Sequence, residues 1–417
     1  MHAPHPDRPN ATASVSNKLL SSLERFFQIE ASSGIVLLAA TAAALLWANS
    51  PWRASYDSLW RLTLTLPLGA HDWAISLRFL VNDALMTLFF LLVGLELRRE
   101  IHEGALSSAR AAVTPLVAAL GGMIAPALIF LALTGTAELR RGWAIPTATD
   151  IAFASGALTL IGRLVPAQVR VLLLALAVAD DIGAILVIAF FYSSGIASIG
   201  VLIATGGIGV IVACQRLGLQ SAFCYVLPGL VVWIGIHQAG VHPTLAGVIL
   251  GLLTPARASP ARDARTDASL PVDRLQIALH PWVAYGIMPL FALANAGVAI
   301  KGLTYSVHST RVLIVAIVLA LAVGKPVGIS LCTWLGSRSG LGALAPGLDW
   351  RGVLLVGCLG GVGFTMSLFL ATLAFDDPAR LTAAKLAVLL GSAISGLTAL
   401  VLGRAVLFRK RAEINAV

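Results

Sequence analysis

The chain has 417 residues, 58% of them hydrophobic and only 12% charged, with a mean hydropathy of +0.88. Soluble domains carry about 25% charged residues, so composition excludes a soluble globular core and indicates a polytopic membrane protein. The net charge of +9 then belongs to loops that set orientation in a bilayer, not to a nucleic-acid surface.

Residues 1–28 are polar and carry Pro4, Pro6 and Pro9. They read as a mobile cytoplasmic tail, without the early apolar run of a cleaved signal. Apolar runs then predict a single all-α transmembrane domain over 29–405. About twelve spans lie near 29–48, 77–97, 113–134, 142–161, 169–192, 199–215, 222–237, 240–253, 277–297, 312–335, 352–374 and 382–403. The outer stretch 62–76 alternates like a strand pair, with Gly69 available for its turn. Residues 406–417 read as a basic cytoplasmic tail. The cysteines Cys214, Cys224, Cys332 and Cys358 lack metal-ligand spacing and read as small packing residues.

An even span count puts both termini on one side. With that side in the cytoplasm, 19 of the 29 Lys and Arg lie inside and 8 outside, Lys385 counted among the latter, while Arg78 and Lys325 fall within spans. Basic residues concentrate in cytoplasmic loops, so both termini are expected inside.

Two spans make poor helices. The fourth contains Pro146, followed by Thr147, Ala148, Thr149 and Asp150; the eleventh contains Gly360, Gly361 and Gly363. Proline removes a helix donor and clashes one turn back, and glycine weakens a helix by about 1 kcal/mol relative to alanine. Non-helical backbone at membrane depth is tolerated only where it is buried in protein or lines a cavity. The broken spans are each second in a set of three, spans 3–5 (about 113–192) and 10–12 (about 312–403), and seven crossings separate the sets. They are therefore expected to be inverted repeats, with a transporter's binding site at the breaks.

Asp180 and Asp181 occupy the tenth and eleventh places of an otherwise uncharged 22-residue stretch, Val171–Tyr192. Such a stretch spans a bilayer, so both carboxylates lie near its middle, where ionisable groups mark ion or proton paths. Consecutive helical residues diverge by about 100°, so one faces a cavity while the other reaches a second partner. A carboxylate crowded by a like charge in low dielectric holds a proton or a small cation, each excluding the other.

Asp150, beside Thr147 and Thr149, has two readings. It supplies oxygen to a hard cation, or it neutralises the positive ends of half-helices. Lys325, central in the tenth span, invites a carboxylate partner, Asp180 first, although snorkelling to an interface is the alternative. Glu96, Arg98, Arg99, Glu100, His102 and Glu103 form either an interfacial ion-pair network or a funnel for cations and protons. His242 and His280 titrate near neutral pH if exposed to change, or simply pack. Asp83, at the opposite end of the second span from the Glu96 cluster, looks interfacial.

These stretches resemble the NhaA sodium/proton antiporter family of inverted-repeat transporters. The resemblance runs in order through Asn82-Asp83-Ala84-Leu85-Met86, Phe89 to Glu96, Ala148 to Ala154, Ala179 to Ile185, Gly240 to Val248, His280 to Val283 and Gly324-Lys325-Pro326. It implies twelve helices with crossed broken helices 4 and 11, and an ion and proton site at Asp181 and Asp180. It pairs Lys325 with Asp180 and sets Asp150 and Thr149 beside them, with Asp150 and Lys325 balancing opposite half-helix ends. Glu96, Arg99 and His242 match the family's funnel and pH-response positions, and His280 lies in a matching segment. Where the family has Glu-His, this chain reads Gln276-Ile277, which implies a shifted or shallower pH profile. The hairpin at 62–76 implies a homodimer.

The expected function is therefore export of Na⁺, and also Li⁺, against entering H⁺. Such exchange is electrogenic and pH-regulated, serves sodium and pH homeostasis in a bacterial inner membrane, and needs no cofactor beyond the transported ions. Other classes make different demands. A sodium-coupled symporter needs a larger polar cavity, an intramembrane aspartyl protease using Asp150 and Asp180 leaves Asp181 and Lys325 unexplained, and a cation channel has no need of a buried acid pair.

Overall fold

The computed structural model describes residues 32–414 except 69–70, 105–108, 163–164, 194, 196, 220–222, 256–270, 301–307 and 343. The tail at 1–28, the turn at Gly69 and the basic residues Arg257, Arg262 and Arg265 lie outside the described residues. The elements in chain order are α1 (Ser32–Ala48), α2 (Arg53–Arg61), β1 (Thr63–Leu68), β2 (His71–Ser76), α3 (Leu77–His102) and α4 (Ala109–Leu133). Next come α5 (Ala137–Thr147), α6 (Ile151–Ile161), α7 (Ala167–Phe191), α8 (Ser198–Arg216), α9 (Phe223–Gln238) and α10 (Leu245–Leu253). The chain closes with α11 (Val272–Asn295), α12 (His308–Arg338), α13 (Trp350–Gly360), α14 (Phe364–Ala374) and α15 (Pro378–Ile414).

The fold is helical, and seven of these helices are long and apolar enough to cross a membrane, or up to ten crossings if each bent pair is one span. Twelve is not reached on length, because α9 has 16 residues and α10 only 9. The pairs α5/α6 and α13/α14 bend by 48° and 45°, at the two segments where proline and glycine had predicted breaks. The third pair, α1/α2, bends by 113°: α2 is a separate helix rather than a continuation of the first span. The two ends of α15 bear on the expected boundaries, its candidate span closing at Ala405. Helix α15 carries the backbone on to Ile414, through most of the expected tail at 406–417. It also begins at Pro378, so Lys385 belongs to a candidate span and is buried. That removes one positive charge from the outside loops and leaves the charge bias in the same direction.

β1 and β2 pair antiparallel, from Thr63 opposite Ser76 to Leu68 opposite His71. The ribbon feeds directly into α3, where the Ser76 hydroxyl accepts the Phe79 N–H at 3.1 Å. Inside the long helices are three wide π turns, at Leu80–Leu85, Val283–Ile287 and Ala320–Gly324. Such turns concentrate at functional positions; here one contains Asn82 and another ends immediately before Lys325.

The helices pack in two groups. Helices α4, α6, α7 and α12–α15 contact one another, and α3 contacts α10 and α11 while α8 and α9 pack together with α10. The first group contains the two sets of three that sequence marked as repeats. Between the groups, Phe369 of α14 is 1% exposed, its ring 5.4 Å from Phe90 of α3, 6.3 Å from Phe291 of α11 and 5.3 Å from His242.

Candidate functional site

The two breaks cross and bind each other. The Asp150 N–H donates to the Val362 carbonyl at 2.7 Å, and the Ser367 hydroxyl donates to the Ile145 carbonyl at 2.6 Å. Close contact explains the glycines: a Cβ on Gly361 would stand 2.5 Å from the Leu321 carbonyl oxygen. Broken helices leave orphan donors at their second halves, and Asp150 serves two of them at once. Its Oδ1 accepts the Phe153 N–H at 3.0 Å, capping α6, and its Oδ2 accepts the Thr365 N–H at 3.0 Å, capping α14. The Thr365 hydroxyl and Oδ2 are also 2.5 Å apart. One negative charge thus faces the positive ends of two half-helices. Ser392 of α15 completes the cap, accepting the Phe364 N–H at 3.2 Å.

Against this crossing lie α7 and α12. Lys325 Nζ donates to Asp180 Oδ2 at 2.7 Å, and both side chains are fully buried. The same ammonium donates to Thr149 Oγ1 at 2.5 Å. The Thr149 hydroxyl has one proton and two acceptors in reach, Asp180 Oδ2 at 2.6 Å and the Gly360 carbonyl at 2.9 Å. Four elements therefore meet in one polar knot: the α5/α6 break, α7, α12 and the last carbonyl of α13.

The other side of the acid pair is bare. Asp180 Oδ1 and Asp181 Oδ1 are buried without a hydrogen-bond partner among the described residues. Asp181 is 4% exposed and lies in the field of three other acids, Glu96, Asp180 and Asp150, with Lys325 opposing them. Buried polar atoms are paired in the great majority of cases, so two orphan carboxylate oxygens on adjacent residues set this place apart.

Residues 24–402 match the model of the family described as Na+/H+ antiporter 1. The chain belongs to this family. Curated relatives agree along nearly the whole length. A protein named Na(+)/H(+) antiporter NhaA 2 from Sorangium cellulosum is 51% identical, covering 93% of this chain and 91% of its own. Proteins named Na(+)/H(+) antiporter NhaA from Bordetella petrii and Janthinobacterium sp. are 50% and 49% identical, covering 93% and 94% of this chain and 91% and 93% of their own.

In this Na+/H+ antiporter family member, the remaining sequence-marked residues fall in three places. Glu96 and Arg99 lie half-buried on α3, which packs against α7 and brings the Glu96 charge to bear on Asp181. His242 lies at the other end of α3, its Nε2 3.7 Å from Asp83 Oδ1 and its Nδ1 2.9 Å from Thr244 Oγ1. His280 is half-buried on α11, just before a π turn. On the same helix Gln276 is buried, its Oε1 without a hydrogen-bond partner among the described residues, while Ile277 is exposed.

Sequence reasoning did not find the Asn82, Asn295 and Lys385 cluster, or the capping role of Ser392. Lys385 carried a signal, being a lysine inside the run 382–403, but its place near the run's edge disguised it as a loop residue. A serine in an apolar helix gives no signal at all.

Proposed function

We propose that this chain is a secondary transporter, not an enzyme, that exports Na⁺, and Li⁺ by the same chemistry, in exchange for H⁺ entering across a bacterial inner membrane. The observation that carries this reading is the asymmetry of the acid pair: Asp180 Oδ2 is held by Lys325 at 2.7 Å, while Oδ1 of Asp180 and of Asp181 are buried and bare. Asp181 is assigned the cation most directly, with Asp180 exchanging a proton and its lysine contact. Hard monovalent cations and protons both seek carboxylate oxygen, so protonation expels the cation and cation binding expels protons.

Asp150 is assigned charge balance rather than ligation, since its oxygens are engaged by the N–H groups of Phe153 and Thr365. If two protons leave for each Na⁺ bound, the cycle moves net charge and responds to membrane potential. Rocking of the repeat helices against the rest exposes the site alternately to each side, as inverted repeats permit. Glu96 collects cations at the cytoplasmic end, and Glu96, Arg99, His242 and His280 tune the response to pH. The positive charge bias supports cytoplasmic termini, and the β1–β2 ribbon offers an edge for pairing two protomers. No cofactor is required.

Reconstituted proteoliposomes test the assignment. Asp181→Asn is expected to abolish Na⁺-driven H⁺ movement, whereas retention of wild-type flux by that variant would refute it.

A further inference from the structure

A buried polar chain lies away from the carboxylates, at the ribbon end of the helices. Lys385 of α15 is 7% exposed, and its Nζ donates to Asn295 Oδ1 at 3.1 Å. Asn295, 1% exposed at the end of α11, donates through Nδ2 to Asn82 Oδ1 of α3 at 2.7 Å and to the Phe291 carbonyl at 3.1 Å. Among the described residues the Asn295 amide is the amine's only hydrogen-bond partner, and no carboxylate stands within ion-pair distance of it. A lysine amine donates and does not accept when protonated, so it fixes which way the Asn295 amide faces and hence what Asn82 receives.

These residues straddle the boundary between the two helix groups. Lys385 belongs to the repeat helices, whereas Asn295 and Asn82 belong to the others. Beside them, Phe369 packs against Phe90 and Phe291 with the His242 ring at 5.3 Å. Apolar rings repack with little directional preference, whereas a donor chain holds one register. An amine buried without a counter-charge is also strongly disfavoured relative to water. Lys385 therefore gains from any movement that admits water, and Asn295 holds it against that gain.

We propose that Lys385 and Asn295 form a bistable latch, with Asn82 behind them, that keeps the ribbon end shut until the repeat helices move. The lysine drives opening, and the amide holds the closed register. This rests on the alternating exposure proposed above, and it makes a prediction that a packing role does not: the two residues have opposite signs. Asn295→Leu fills the same space but removes the acceptor, and so favours opening. Lys385→Met keeps the length but removes the group that seeks water, and so favours closure.

The readout is the labelling rate of a single cysteine, Ala294→Cys, by a membrane-impermeant maleimide applied from the ribbon side. The background has the four native cysteines, Cys214, Cys224, Cys332 and Cys358, replaced by alanine, and Na⁺/H⁺ exchange equal to that of the unaltered chain is the condition for using it. Asn295→Leu is expected to raise the rate at least tenfold and Lys385→Met to lower it severalfold. Changes in the same direction, or changes of less than twofold in both, overturn the latch. Should Asn295→Leu fail to reach the membrane, Lys385→Met decides alone, and labelling that is unchanged or faster in that variant overturns the latch equally. Exchange by the unaltered chain in vesicles tests the antiport assignment separately: its absence alongside the stated labelling shifts would sink that assignment, whereas the labelling shifts alone decide the latch.

Discussion

Lys325 and Asp180 meet at 2.7 Å with both side chains fully buried, and Thr149 stands between them and the end of a half-helix. The pair satisfies only one face of the acid, so the geometry both stabilises the bundle and leaves a reactive oxygen. Stability and exchange can therefore be separated by substitution.

Removing one partner leaves a buried charge uncompensated, which costs about 3–5 kcal/mol, whereas removing both charges is far milder. Lys325→Met is expected to lower the detergent melting temperature markedly. Lys325→Met combined with Asp180→Asn recovers most of that loss without restoring exchange. Melting curves of the two variants decide this, and equal destabilisation would show that the ion pair is not what holds the helices here.

Thr149→Val keeps the shape but removes the hydroxyl that links Lys325, Asp180 and Gly360. A buried polar group left unpaired costs about 1–3 kcal/mol. The expected outcome is a lower melting temperature with a raised KM for Na⁺, since the Asp180 oxygen is no longer held in place. An unchanged KM in vesicle assays would remove Thr149 from the site.

Asp150→Asn retains an acceptor for one half-helix but turns an amide N–H₂ toward the other. Loss of a cap costs about 0.5–2 kcal/mol. This variant is expected to be less stable yet to keep saturable Na⁺/H⁺ exchange at a reduced rate, in contrast to Asp181→Asn. If both variants lose exchange equally under conditions where both remain folded, Asp150 is a ligand rather than a charge balance.

Gly361→Ala places a methyl group against the Leu321 carbonyl and 2.6 Å from the Ser395 hydroxyl. Overpacking typically costs about 1–3 kcal/mol. Adding Ser395→Ala relieves the hydroxyl contact but leaves the carbonyl clash, so rescue is expected to be partial. Full recovery of melting temperature by the double variant would mean that the backbone shifts freely there.

The pH profile offers a further check. Gln276→Glu with Ile277→His restores two titratable groups on α11 and is expected to steepen the activation profile, measured by dye quenching in everted vesicles. Superimposable profiles would detach this helix from pH response.

Charged residues inside apolar runs, and prolines or glycines where helix is required, are strong signals because a bilayer penalises both. Asp180, Asp181, Lys325 and the two broken spans were therefore legible in sequence. The double cap made by Asp150 was not: cation ligand and half-helix cap use the same side chain, and Thr365 comes to it from a segment 215 positions away. The π turns were hidden because a widened turn needs no special residue. The count of twelve is not reached on length at α9 and α10, because hydropathy reports apolarity, not helix length. Lys385 was misplaced because its helix starts at Pro378, earlier than the apolar run suggests.

The ribbon has a mechanical meaning. β2 ends at Ser76 and α3 begins at Leu77, joined by the Ser76 cap with no slack between them. Asn82 lies within the first turns of that helix. Any anchor that grips the strands therefore fixes the position of α3 like a strut clamped at its foot. The alternating exposure proposed above would then fall to the helices packed against it, with the clamp as their fixed reference.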